Sequence, residues 1–308
     1  MINRIIIRIK VLQVVYAYYQ KDSKDVKSAE NELMFSLQKY YDLYHYLLLL
    51  VVLLTDAENK RIDKNKNKHL ATSLELNPDK RFADNRFAEQ LRLNRQLQKF
   101  ANEKGYLWNT DDSLFIRNLL HKILQSDIYN EYLASEDSYA SDKGFWVKIF
   151  KQLILPNIEL NEFVEDSNIY WNDDLELAGT FILKTIKKFE AENETDQALL
   201  PMFKDDEDRE FAVKLLHNTI LQEAENNERI NRQINNWDID RVAVIDLYIM
   251  RIALAEIQNF PNIPISVSLN EYIDLARYYS TPKSPGFLNG ILDTIAKELK
   301  SEGKIFKD

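Results

Sequence analysis

The segment Lys283-Ser284-Pro285-Gly286-Phe287 gathers a cation, a hydroxyl, a helix-starting proline and an aromatic ring within five residues. Ser284 followed by Pro285 fits an N-cap with proline at the first helical position. A helix start offers free N–H groups and partial positive charge, a seat for phosphate. Lys283 would add a full charge, and Phe287 could stack on an unpaired base, as single-stranded RNA recognition requires. On spacing alone, a plain capped helix with a core Phe is the simpler reading. Near the other end of the chain, Arg4 and Arg8 are four apart and share a helix face. That face is open either to an anion or simply to solvent.

Enzyme chemistry finds no footing. The sequence has no glycine-rich phosphate loop, no GxSxG and no nucleophile–base pairing. The acid pairs Asp173-Asp174 and Asp205-Asp206 fall in polar breaks, where solvated turns explain them. His45, His69, His121 and His217 are scattered without metal-ligand spacing and read as ordinary surface or core residues. With no cysteine, disulfide and thiolate chemistry are excluded. The expectation is a non-enzyme without metal or cofactor.

The elements that must position these residues read as helices. Only 6 glycines and 7 prolines in 308 residues disfavour many short strands. Ile5, Ile9, Leu12, Tyr16 and Tyr19 form the stripe of a first helix. A charged turn over 22–29 leads to a second helix from about Glu30 to Leu54, ending in the apolar run Leu47–Leu54. That run is well short of the roughly 20 residues that span a bilayer, and no secretory segment precedes it, so a cytoplasmic protein is expected.

Between Lys60 and Lys104 there are 12 Lys/Arg and 6 Asp/Glu, a net +6 in a chain of −9. The run Lys-Asn-Lys-Asn-Lys at 64–68 reads as a solvated loop. Phe82, Phe87, Leu91, Leu93 and Leu97 mark one amphipathic helix with Arg86, Arg92 and Arg95 outside. These arginines are either a second RNA surface or a solvated helix face. The overall negative charge disfavours nonspecific nucleic-acid binding, so any RNA site must be local.

The middle and last thirds look related. Residues 145–190 laid over 211–256 without gaps agree at 12 of 46 positions, among them Phe145/Phe211, Trp171/Trp237, Asp174/Asp240 and Glu190/Glu256. Chance gives about three or four. Arg241 to Ile257 is apolar on most faces and predicts a central buried helix. A loop follows at 260–264. Ser268 and Glu271 have capping-box spacing for a helix running to about Tyr279. After the break at 280–286 the final helix buries Phe287 or Leu288 with Ile291, Leu292 and Ile295.

Four stretches then resemble the NusB family: Met250-Arg251-Ile252-Ala253-Leu254-Ala255-Glu256-Ile257, Ile263-Pro264, Leu269 to Arg277, and Phe287-Leu288-Asn289-Gly290-Ile291-Leu292-Asp293. Leu12-Gln13-Val14-Val15-Tyr16 is similar to the family's first helix. The resemblance covers roughly 3–55 and 207–300. It implies an all-α, NusB-like helical bundle of two small helical subdomains, with an additional helical insertion. The implied division is N-terminal helices at 1–56, an insertion at 57–205, a C-terminal core at 206–300 and a tail at 301–308; on the identities above, the insertion reads as a partial repeat of the C-terminal part.

The resemblance further implies an RNA-binding transcription antitermination factor. With a NusE-like small-subunit ribosomal protein it would recognise boxA-type single-stranded RNA during ribosomal RNA transcription, within an antitermination complex on RNA polymerase. By position, Arg4, Arg8, Lys283, Ser284 and Phe287 would contact RNA, and Tyr16 and Asp246 the partner. The family often has consecutive arginines where Ile5-Ile6-Ile7 here separate Arg4 from Arg8, and Lys283 stands where an acidic residue can occur. The alternative is a helical protein-interaction scaffold without direct RNA binding.

Overall fold

A computed structural model of the chain describes residues 1–22, 24–108, 114–234 and 242–307. Among them the protein is all-helical, apart from an isolated parallel bridge between Ile2 and Phe203. The chain divides into two compact units. Unit 1 comprises Met1 and Gln38–Pro201, and unit 2 comprises Ile2–Leu37 and Met202–Asp308.

Helix α1 is Arg4–Gln20, started by the Asn3 side chain, which accepts from the Ile6 amide at 3.1 Å. Helix α2 is Val26–Lys66, begun in unit 2 and ended in unit 1. It starts earlier and ends later than the expected 30–54, and its last turns take in the lysines at 64 and 66 that read as loop. Asp25 explains the early start, because its carboxylate accepts from the amides of Lys27 and Ser28. The eight residues Leu47–Leu54 are all buried, as an apolar run on every helix face requires. No described helix is long and apolar enough to cross a membrane.

The rest of unit 1 is built from α3 (Ser73–Leu76), α4 (Arg86–Leu93), α5 (Arg95–Lys104), α6 (Leu114–Leu124), α7 (Asp127–Ala134), α8 (Tyr139–Ile149), α9 (Ile158–Ser167) and α10 (Leu175–Lys188). One π turn, Phe150–Ile154, continues α8. The single helix expected over 82–97 is two, because fully buried Asn94 ends α4 and caps α5. Its side chain accepts from the Leu97 amide at 3.0 Å and donates to the Gln197 carbonyl at 2.7 Å. The arginines outside this pair of helices face carboxylates: Arg86 meets Asp137 and Asp142, Arg92 meets Asp56 and Glu89, and Arg95 meets Asp196. Asp174 is buried rather than solvated, and Asp205 caps the next helix. His45 is a core residue, stacked on Phe100 with its Nδ1 on the Tyr41 carbonyl.

Unit 2 continues with α11 (Asp206–Leu221), α12 (Glu223–Ile234), α13 (Val244–Asn259), α14 (Ile265–Tyr279) and α15 (Ser284–Ser301). Helix α13 is the central one: α1, α11, α12, α14 and α15 all pack on it, and Ile249 to Ala255 lose almost all exposure except Arg251. Its expected beginning at Arg241, and the repeat positions Trp237 and Asp240, lie outside the described residues. Beyond α15 the tail is packed, with Ile305 buried and the Lys307 Nζ donating to the Phe260 carbonyl at 2.8 Å.

Asn85 shows how tightly unit 1 is wired. Buried, it caps α4 by accepting from the Ala88 amide, accepts from Trp146 Nε1 and donates to the Tyr132 hydroxyl. Asn85→Ala removes a cap and strands two buried donors, and is expected to cost about 2–4 kcal/mol in urea unfolding. A loss below about 0.5 kcal/mol, the level of an exposed surface change, would contradict that wiring.

Candidate nucleic-acid interface

Helix α1 carries the two sequence-predicted arginines to different fates. The Arg4 side chain is 38% exposed, with its guanidinium 3.6 Å from Asp208 and stacked over Phe211 at 5.1 Å. Arg8 is buried at 3% exposure, which corrects the expectation that it faces solvent or an anion. Its Nε and Nη2 each donate to the Glu256 carboxylate at 2.8 Å, and Nη1 donates to Glu271 at 3.0 Å. Phe211 and Tyr272 flank the guanidinium.

Glu256 sits on α13 with no exposure and also accepts from Ser268 Oγ at 2.7 Å and Tyr272 Oη at 2.8 Å. Ser268 and Glu271 therefore do not form a capping box. Helix α14 starts earlier, at Ile265 after Pro264, and both side chains serve the buried arginine–glutamate centre. Burial alone would raise the Glu256 carboxyl, but the Arg8 hydrogen bonds and charge outweigh it and hold it below the usual 4.5. Burial works in the same way to lower the Arg8 guanidinium and is again outweighed by Glu256. The signal missed in the sequence was the charge itself: a glutamate inside the apolar run Ile252–Ile257 demands a buried cation.

At the other end of α13 stands the α15 corner. Lys283 is exposed and takes the N-cap position, without a side-chain cap bond. Ser284 is the first helical residue and Pro285 the second, so the helix starts one residue earlier than expected. The Ser284 hydroxyl is buried and donates to Asp246 Oδ2 at 2.7 Å, with Ser280 and Thr281 hydroxyls 2.9 Å away. Asp246, expected at a partner contact, is thus a buried brace for the start of α15. Its Oδ1 is buried with no hydrogen-bond partner. Leu288 fills the core while Phe287 is half-buried.

Tyr16 is 45% exposed and meets Tyr248 edge-on at 5.9 Å. Tyr248 stacks on Tyr19 at 5.2 Å, and Arg251 lies over both rings. Helix α1 therefore runs antiparallel to α13, with Arg8 at Glu256 and Tyr16 at Tyr248. Ten residues separate Asp246 from Glu256, about 15 Å of helix axis. The sequence-predicted residues accordingly fall into two groups: Tyr16, Asp246, Lys283, Ser284 and Phe287 around the start of α13, and Arg4 with Arg8 near its end.

A family model described as the NusB family matches residues 176–297. The transcription antitermination protein NusB of Salinibacter ruber is 35% identical over 132 residues, which cover 41% of this chain and 82% of that protein. The chain belongs to the NusB family. Proteins of the same name from Koribacter versatilis and Listeria monocytogenes are each 38% identical, over 68% and 81% of their lengths and 32% and 34% of this NusB-family chain. No solved structure matches.

The buried centre of this NusB-family chain predicts its own perturbation. Arg8→Met leaves Glu256 charged and uncompensated and is expected to cost about 3–5 kcal/mol in urea unfolding. Arg8→Met with Glu256→Gln regains most of that loss. Because the Glu256 carboxyl lies below its usual 4.5 in the folded state, its contribution is full above that pH and is lost as the pH falls below it. Glu256→Gln should flatten the acid limb of the stability profile, and an unchanged limb would refute the assignment.

Proposed function

We propose that this protein is a non-enzymatic transcription antitermination factor that, with a NusE-like ribosomal protein, binds boxA-type single-stranded RNA. The observation that carries the reading is the corner at the start of α15, where exposed Lys283 stands beside half-exposed Phe287 on a helix start braced by Asp246. This corner lies within the NusB match, and the related proteins bear the antitermination name.

Lys283 supplies charge to a phosphate and Phe287 an aromatic face to a base. Ser284 and Asp246 hold that corner in place from beneath. Tyr16, at the same end of α13, offers an aromatic edge to the protein partner. Arg4 reaches phosphate from the far end of α13, while Arg8 acts behind it by fixing α1. A basic partner supplies the charge that a chain of net −9 lacks.

Fluorescence anisotropy with boxA-type RNA, with and without the ribosomal protein, tests this. Partner-enhanced, salt-sensitive binding is expected, and its absence would leave the scaffold reading instead. Phe287→Ala should weaken specific binding by about 1–3 kcal/mol. Lys283→Ala and Arg4→Ala should each flatten the slope of log K against log salt by about 0.7. Unchanged slopes would remove both residues from the interface.

A further inference from the structure

We infer that unit 1 holds a second, altered copy of the framework that α1 and α11–α13 form in unit 2, and that only the unit 2 copy is fitted to hold RNA and a partner. The second clause rests on the proposed function.

Three observations on different elements converge. First, the 66-residue shift found from residue identities also aligns the helices. It carries α8 and its π turn onto 205–220, where α11 is Asp206–Leu221. It carries α9 onto 224–233, within α12, and α10 onto 241–254, where α13 is described from Val244. Burial follows: Phe145, Ile149 and Ile182 are buried, as are Phe211, Leu215 and Tyr248.

Second, α4 and α5 repeat α1 at a shift of 82. Asn85 stands for Asn3, and each caps its helix by accepting from the amide three residues on, at 3.0 and 3.1 Å. Arg86 follows Asn85 as Arg4 follows Asn3. Buried Leu91, Leu97 and Phe100 stand for buried Ile9, Val15 and Tyr18.

Third, two contacts require both shifts at once. Arg86 lies 3.9 Å from Asp142, and Arg4 lies 3.6 Å from Asp208, with 142 and 208 separated by 66. Gln90, in the place of Arg8, donates to the Glu190 carbonyl at 2.9 Å, and Glu190 is in the place of Glu256. Two unrelated helical units have no reason to join the same pairs of positions twice.

The copy is altered where recognition would occur. Tyr16 becomes Gln98 and Asp246 becomes Thr180. After α10 the chain passes through a 3-10 segment, Ala191–Asp196, and enters α11 at 206, so no counterpart of α14 or α15 is inserted. The residues answering to Lys283, Ser284 and Phe287 are therefore missing from unit 1.

The intact protein provides the test. If position 190 answers to 256, Gln90→Arg rebuilds in unit 1 the ion pair of unit 2. A urea double-mutant cycle of Gln90→Arg and Glu190→Gln should then show coupling of about fivefold in the unfolding equilibrium. Zero coupling between folded variants overturns the copy. A readout that does not depend on those variants is RNA affinity. Arg4→Ala should weaken boxA-type RNA severalfold and Arg86→Ala leave it unchanged, with folding checked by circular dichroism. Equal weakening by Arg86→Ala overturns the asymmetry. If the wild-type chain binds no RNA, the proposed function and the asymmetry fall together, and the cycle alone decides the copy.

Discussion

Glu256 lies near the C-terminal end of the central helix of unit 2 without exposure, in surroundings where a lone carboxylate would cost several kcal/mol. Four donors from three side chains close on it, and each side chain comes from a different place in the chain order: Arg8 from α1, Ser268 and Tyr272 from successive turns of one face of α14. A hydrophobic contact would tolerate sliding by a residue, because burial is non-directional. A bidentate guanidinium–carboxylate pair does not. The register of α1 and α14 on α13 is thereby set, and Tyr16 and the α15 corner take their places along α13 from that anchor.

Much of the helical order was legible, and the failures share a cause. The stripe of α1, the apolar run in α2, the break at 260–264 and the start of α15 to within one residue came from periodicity and turn chemistry. What periodicity could not see was which polar residues are inside. Arg8, Ser268, Glu271, Ser284 and Asp246 all have spacings that suit exposed or capping roles. Each instead serves another helix. Asn94 failed in the same way, since a single asparagine within an amphipathic pattern gives no hint that it will face both a helix end and a distant carbonyl. The candidate corner was visible as a local motif, but its distance from the arginines was not, because only the antiparallel run of α1 on α13 reveals it.

The basic stretch in unit 1 illustrates how composition can mislead about surface. Its excess of positive charge is real, yet Arg86, Arg92 and Arg95 each stand against carboxylates contributed from outside the stretch. Charge segregated along the sequence is recombined by the fold. Such a surface offers phosphate far less than the count of arginines suggests.

The Arg8–Glu256 bond also has a temporal side. Its partners are 248 residues apart. At about 5–20 residues per second, a ribosome takes of the order of ten to fifty seconds to supply the second after the first. For all that time α1 has been made but cannot be buried in its final place, while the whole of unit 1 emerges. A purely aliphatic helix waiting so long would be a hazard for aggregation. Arg8 and Lys10, both charged and both buried in the finished fold, give the waiting segment solubility until the rest of unit 2 arrives to withdraw those charges from water.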